Sequence, residues 1–137
     1  MEKMSVADLP QRDRVVLLAL AGWTLLVWVG RIRNVVASEF EGWAFGWRLG
    51  VAVVFTLSGV LLAATVLTRS SLARPVAGCL ALVGAGWWLV RGTGILLAEY
   101  DVGFKVVHTV LATVTVGLSW LVLRWWAADR TFATDHV

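Results

Sequence analysis

Cysteine is nearly absent. Cys79 stands alone, so no disulfide can form within the chain, and its place in an apolar run reads as a small buried residue. Proline occurs twice, at Pro10 and Pro75, leaving long intervals in which nothing interrupts a helix. Charge is scarce as well. Asp, Glu, Lys and Arg make up 15% of the residues, against about a quarter in an average soluble domain. The sequence also lacks a glycine-rich phosphate loop, a dinucleotide fingerprint and a nucleophile–base pairing; Gly92-x-Gly94 is far too short a match. These absences point away from an enzyme. Segments of about ten residues with strict apolar–polar alternation are missing too, which argues against a membrane β-barrel.

What the chain has is apolar length: 59% of its 137 residues are hydrophobic. A helix needs about 20 apolar residues to cross a bilayer. Four segments meet that length, about 15–36, 49–67, 76–97 and 106–123, and Pro75 fits the first turn of the third. The links between them are short, which favours antiparallel neighbours. The expected fold is therefore all-α: a polytopic membrane four-helix bundle, one transmembrane domain over residues 1–137. The polar first 14 residues and the tail from Ala127 are expected to fray. A cleaved signal peptide fits poorly, because Arg31 and Arg33 would separate the apolar stretch from a cleavage site at Val36-Ala37-Ser38.

The chain also repeats itself. Shifted by 60 residues, Arg14–Thr68 falls on Arg74–Ala128 without a gap. Apolar coincidences mean little in such a chain, but the ionisable and aromatic ones are informative. Trp28-x2-Arg31-x7-Glu39-Phe40-Glu41 returns as Trp88-x2-Arg91-x7-Glu99-Tyr100-Asp101. Two tandem two-span repeats, residues 14–68 and 74–128, are expected to run parallel, related by an axis along the membrane normal. Lys3, Arg12, Arg14, Arg69, Arg74, Arg124 and Arg130 share one side, against Arg33, Arg48 and Lys105 near the other surface with Arg31 and Arg91 deeper, where Glu39, Glu41, Glu99 and Asp101 also lie. The positive-inside rule then places both termini in the cytoplasm of a bacterial inner membrane. The same rule accounts for the net charge of +3 without nucleic acid, and no basic stripe on a soluble domain argues for it.

The candidate site follows from the cost of charge near lipid. Arg31 and Arg91 lie one to two turns inside the outer ends of their helices, with Glu39 and Glu99 eight residues on. Pairing along one helix (Arg31 with Glu39, Arg91 with Glu99) and pairing across repeats (Arg31 with Glu99, Arg91 with Glu39) are both open. Trp28 and Trp88 offer cation–π faces. Arg48 and His108 occupy equivalent positions at the start of the second helix of each repeat. The expected result is a pseudo-symmetric polar cluster of Arg31, Glu39, Arg48, Arg91, Glu99 and His108, joined by Asn34, Thr93 and Tyr100. It can be a set of charges that fix hairpin register, a site for an anion, a proton or a polar headgroup, or arginines that snorkel to the surface. His108 suits a proton relay, since histidine titrates near neutral pH. Neither haem nor zinc is expected: no second histidine lies in a span, and no ligand spacing joins His108 to Glu39, Glu99 or Asp101.

Small residues mark the expected seams. Gly59-x3-Ala63 and Thr109-x3-Thr113-x3-Gly117 let helices approach, and His108, Ala112, Thr115 and Ser119 match Arg48, Ala52, Phe55 and Gly59 across the repeats. A helix break is expected near Gly92-Thr93-Gly94. Trp43, Trp47, Trp125 and Trp126 suit interfacial belts, whereas Trp23, Trp28, Trp87, Trp88 and Trp120 suit interior packing.

The stretch Leu96-Leu97-Ala98-Glu99-Tyr100-Asp101-Val102-Gly103-Phe104-Lys105-Val106-Val107-His108-Thr109-Val110-Leu111-Ala112 resembles a segment of small four-span membrane proteins of actinobacterial type. The resemblance covers the second repeat and implies architecture and location, with no activity attached. Small multidrug transporters and fluoride channels fit less well, because their membrane-embedded Glu and Gly- or Thr/Ser/Phe-rich motifs are missing. Two functional expectations remain. One is a structural or accessory protein that binds itself or a larger membrane complex; the other is a small transporter or channel for an anion or protons.

Overall fold

Apolar, proline-poor segments separated by short polar links fold into helices. The computed structural model describes the backbone of residues 10–134 and the side chains of residues 10–125. Four helices follow in order: α1 (Gln11–Val36), α2 (Gly42–Leu67), α3 (Ala73–Leu97) and α4 (Val102–Thr134). The chain is all-α, and no strand occurs among the described residues. Each helix contains a run long and apolar enough to cross a membrane, 24 to 26 residues in length. At about 1.5 Å per residue these runs rise about 36–39 Å, which exceeds the ~30 Å hydrocarbon core.

Helix ends follow hydrogen bonding rather than apolarity, so they differ from the expected spans. α2 starts at Gly42, whose φ of 56° makes the turn, and takes in Trp43, Trp47 and Arg48. α4 starts at Val102, where the Asp101 carboxylate accepts the Phe104 N–H at 3.3 Å and caps the helix. The segments expected to fray are helical where they are described, over residues 11–14 and 127–134; residues 1–9 and 135–137 lie outside the described residues. α3 runs unbroken through Gly92-Thr93-Gly94, where the expected break does not occur. The Thr93 hydroxyl there donates to the Leu89 carbonyl at 2.7 Å, within the helix's own ladder.

The link after α2 closes its helix with a Schellman motif. Ser70 N–H donates to Thr65 O at 2.8 Å and Arg69 N–H to Val66 O at 3.2 Å. Arg69 takes the left-handed conformation this motif requires, at φ 55°.

The helices sort into two compact units that divide between Val76 and Ala77. In the first, α1 and α2 pack as a hairpin. Gly59 is buried between them: a Cβ there would stand 3.2 Å from Leu25 Cγ and Cδ2 and 3.3 Å from Thr24 Cγ2. One turn further along α1, the Trp28 indole stacks on Phe55 with centroids 4.3 Å apart and planes 3° from parallel. In the second unit, α3 and α4 meet where Gly84 faces Thr115 and Gly92 faces Ala112.

Burial follows the sixty-residue offset. Leu17, Leu20, Ala21, Thr24, Trp28 and Val35 are buried on α1, as are Ala77, Leu80, Ala81, Gly84, Trp88 and Ile95 on α3. Phe55, Gly59 and Leu62 on α2 correspond to the buried Thr115, Ser119 and Val122 on α4. Buried hydroxyls of Thr24, Thr65 and Thr115 are satisfied by carbonyls one turn back in their own helices.

Several outward positions depart from expectation. Thr109, Thr113 and Gly117 are exposed, and the two threonine hydroxyls bond to their own helix. Cys79 is exposed rather than buried. Trp120, expected in the interior, is 59% exposed, with the Arg124 guanidinium 5.2 Å from its ring centroid.

A candidate polar site at the hairpin turns

The site residues are positioned by where the helices stop. α1 ends at Val36 and α3 at Leu97, so Glu39 and Glu99 lie in the links. Both acids are exposed, and among the described residues neither forms an ion pair. Pairing along a continuous helix is ruled out by this geometry, because the acid sits beyond the helix end. Among the described residues an ion pair forms elsewhere, from Arg12 Nε to Asp13 Oδ1 at 3.5 Å.

In the first unit, Arg31 is half-buried on α1, one turn before the buried Val35. Asn34 is exposed. Arg48, half-buried near the start of α2, lays its guanidinium 3.7 Å from the centroid of the Phe40 ring. Its aromatic partner comes from the link just before its own helix.

In the second unit, His108 fills the equivalent position and is also half-buried. Its Nδ1 lies 2.8 Å from the Phe104 carbonyl oxygen. A carbonyl only accepts, so Nδ1 carries the proton and donates it. The imidazole packs on Phe104 at 3.9 Å between centroids and faces Trp88 at 6.3 Å. Tyr100 adds a fourth ring, 4.8 Å from Phe104, so aromatic contacts run from the link into the hairpin. Lys105 Nζ donates to the Leu96 carbonyl at 3.1 Å and ties the start of α4 to the end of α3.

Arg91 behaves differently from Arg31. It is exposed on α3 and borders a groove of about 460 Å³ lined by Val83, Gly86, Trp87, Val90 and Gly94.

No family model, curated protein or solved structure matches the chain. What the residues can do chemically is therefore read from this geometry. Among the described residues, no group of three or more His, Cys, Asp or Glu side chains stands together as a metal-binding set. The arrangement offers a guanidinium, Arg48, and an imidazole, His108, each seated on an aromatic ring at a hairpin turn, together with the exposed Arg91 beside an apolar groove.

Sequence reading found Arg48 and His108 but missed their partners. Phe104 was within reach, because it stands one helical turn before His108. Phe40 carried no such signal, since it lies in the link, outside any helical spacing to Arg48.

Proposed function

We propose that this chain is a multi-pass integral membrane protein with a structural or accessory role, built from two tandem helical hairpins. The observation that carries the reading is the seating of Arg48 on Phe40 and of His108 on Phe104 and Trp88. Such contacts hold each turn in one geometry. The recurrence of burial at a sixty-residue offset supports the tandem origin of the hairpins. The positive-inside count supports cytoplasmic termini in a bacterial inner membrane. A role of this kind is exercised through a second copy or a larger membrane complex.

A second reading, conduction of an anion or protons through Arg31, Arg91, Glu39, Glu99 and His108, draws on the exposed Arg91. Purified protein in proteoliposomes separates the two. The accessory reading expects anion and proton flux equal to that of empty liposomes, with a larger partner retained during purification from native membranes. Flux that Arg91→Ala abolishes, while helix content is unchanged, overturns it in favour of conduction.

A further inference from the structure

We propose that the outward face of α3 binds one anionic phospholipid, with its phosphate on Arg91 and an acyl chain in the groove beside Trp87. The proposal rests on the membrane-spanning reading above and names a ligand for its exposed arginine. Val83, Gly86, Trp87, Val90, Arg91 and Gly94 recur at intervals of three and four, so they share one helix face. That face is open: Val83 is 59% and Val90 79% exposed. Its hollow exists because Gly86 and Gly94 carry no side chain, and nothing lies within 4 Å of where a Cβ would stand at either.

Arg91 has no ion-pair or aromatic partner among the described residues. It stands six residues before the end of α3 at Leu97, about 9 Å along the axis. A charge at that depth on a lipid-facing surface needs compensation. The arginine stem is long enough to carry the guanidinium toward the headgroup level, where phosphate is the anion supplied by the bilayer itself. Guanidinium and phosphate match in a bidentate geometry, and a tryptophan one turn deeper is a suitable wall for the chain below.

The alternatives fit less well. A soluble anion gains nothing from the apolar hollow. A second copy docked by a two-fold axis on this face would bring two Arg91 side chains together. The corresponding face of α1 has Leu26 where α3 has Gly86, and its Arg31 is half-buried. The site therefore belongs to the second hairpin alone.

The test uses the full chain in phosphatidylcholine vesicles, with brominated phosphatidylglycerol or brominated phosphatidylcholine as quencher. The Trp87 signal is obtained as the difference from Trp87→Phe. The proposal expects phosphatidylglycerol to be preferred about fivefold at Trp87. Arg91→Gln removes the preference, Arg91→Lys keeps part of it, and Arg31→Gln leaves it intact. Equal quenching by the two lipids, or a preference that survives Arg91→Gln, overturns the proposal. Relief of quenching by excess inorganic phosphate overturns the lipid as ligand, and efficient disulfide dimers of Cys79→Ser/Val90→Cys assign the face to a second copy instead. If Arg91→Gln loses its helix content, the wild-type preference and Arg91→Lys decide. Failure of the membrane reading itself looks different: no tryptophan is then quenched by either brominated lipid.

Discussion

The two hairpins use the same positions and fill them with side chains of different size. In α1–α2, Thr24 and Leu25 fill the space that Gly59 leaves. Sixty residues later Thr24 and Leu25 become Gly84 and Ala85, while Gly59 becomes Ser119. One turn away, Phe55 becomes Thr115. Three of these four exchanges shrink the side chain and only Gly59 to Ser119 enlarges it, so the second seam carries less side-chain volume at the matched positions. The polar ends differ accordingly. Phe55 stacks on Trp28 in the first hairpin, and Arg48 takes Phe40 from the link. With Thr115 in place of the phenylalanine, Trp88 is left to face His108.

The largest expected effect tests this stack. Trp28→Ala removes a buried ring whose partner lies 4.3 Å away. Large-to-small changes of this kind cost about 3–5 kcal/mol in water-soluble cores, and about 2–3 kcal/mol is expected here because lipid replaces water as the alternative surrounding. Trp88→Ala should cost about 1 kcal/mol less, since its ring neighbour His108 is smaller than Phe55 and lies farther off, at 6.3 Å. Reversible unfolding in mixed micelles measures both, and equal losses would break the comparison at its strongest point.

Next comes the glycine seat. Gly59→Val forces a side chain into a site where Leu25 already stands 3.2 Å from an added Cβ. Overpacking of this kind costs about 1–3 kcal/mol. Leu25→Ala, which copies Ala85 of the second hairpin, should recover most of the loss. Gly84→Ala should be nearly neutral, because its added Cβ meets Thr115 Cγ2 at an ordinary 3.7 Å. If Leu25→Ala fails to rescue Gly59→Val in the same unfolding assay, Leu25 is not what crowds the Gly59 seat, and the smaller Ala85 does not explain why Ser119 is accommodated in the second seam.

Much of this architecture can be read from residues, and what cannot has one main cause. The helices show as charge-poor runs, and the matched seam of Ala52, Phe55 and Gly59 with Ala112, Thr115 and Ser119 shows because the repeat aligns it. Which apolar residues face inward does not show. A lipid-facing surface is as apolar as a buried one, so the periodicity that marks a soluble helix fades. That is why Cys79 and Trp120 read as interior residues and yet are exposed, and why Thr109, Thr113 and Gly117 read as a seam. At the candidate site the spacing shows which positions carry Arg48 and His108 but not where the acids stand. Glu39 and Glu99 fall on the helical face of Arg31 and Arg91 only if the helix continues, and it stops at Val36 and Leu97.

A smaller effect comes from the link between the hairpins. Arg69 holds the left-handed conformation at φ 55°, which a side chain disfavours and glycine accepts. Arg69→Gly should stabilise the protein by about 0.5–1 kcal/mol, after the added freedom of glycine in the unfolded chain is set against the relieved strain. The gain should be the same in the Trp28→Ala and Trp88→Ala backgrounds, because the link lies outside both seams. A gain that appears in one background alone would show that the link is coupled to one hairpin.

The smallest effect separates the two aromatic seats. A double-mutant cycle of Arg48→Gln with Phe40→Leu should return a coupling of about 0.5–1 kcal/mol, the value of a partly exposed cation–π contact. The corresponding cycle of His108→Gln with Phe104→Leu should return less. His108 keeps a second anchor that Phe104→Leu does not touch, because its Nδ1–H donates to the backbone carbonyl of that residue. Trp88 also remains on its other side. A coupling at His108 as large as that at Arg48 would mean that the ring, not the carbonyl, sets the imidazole, and the two turns would then be held in the same way despite their different residues.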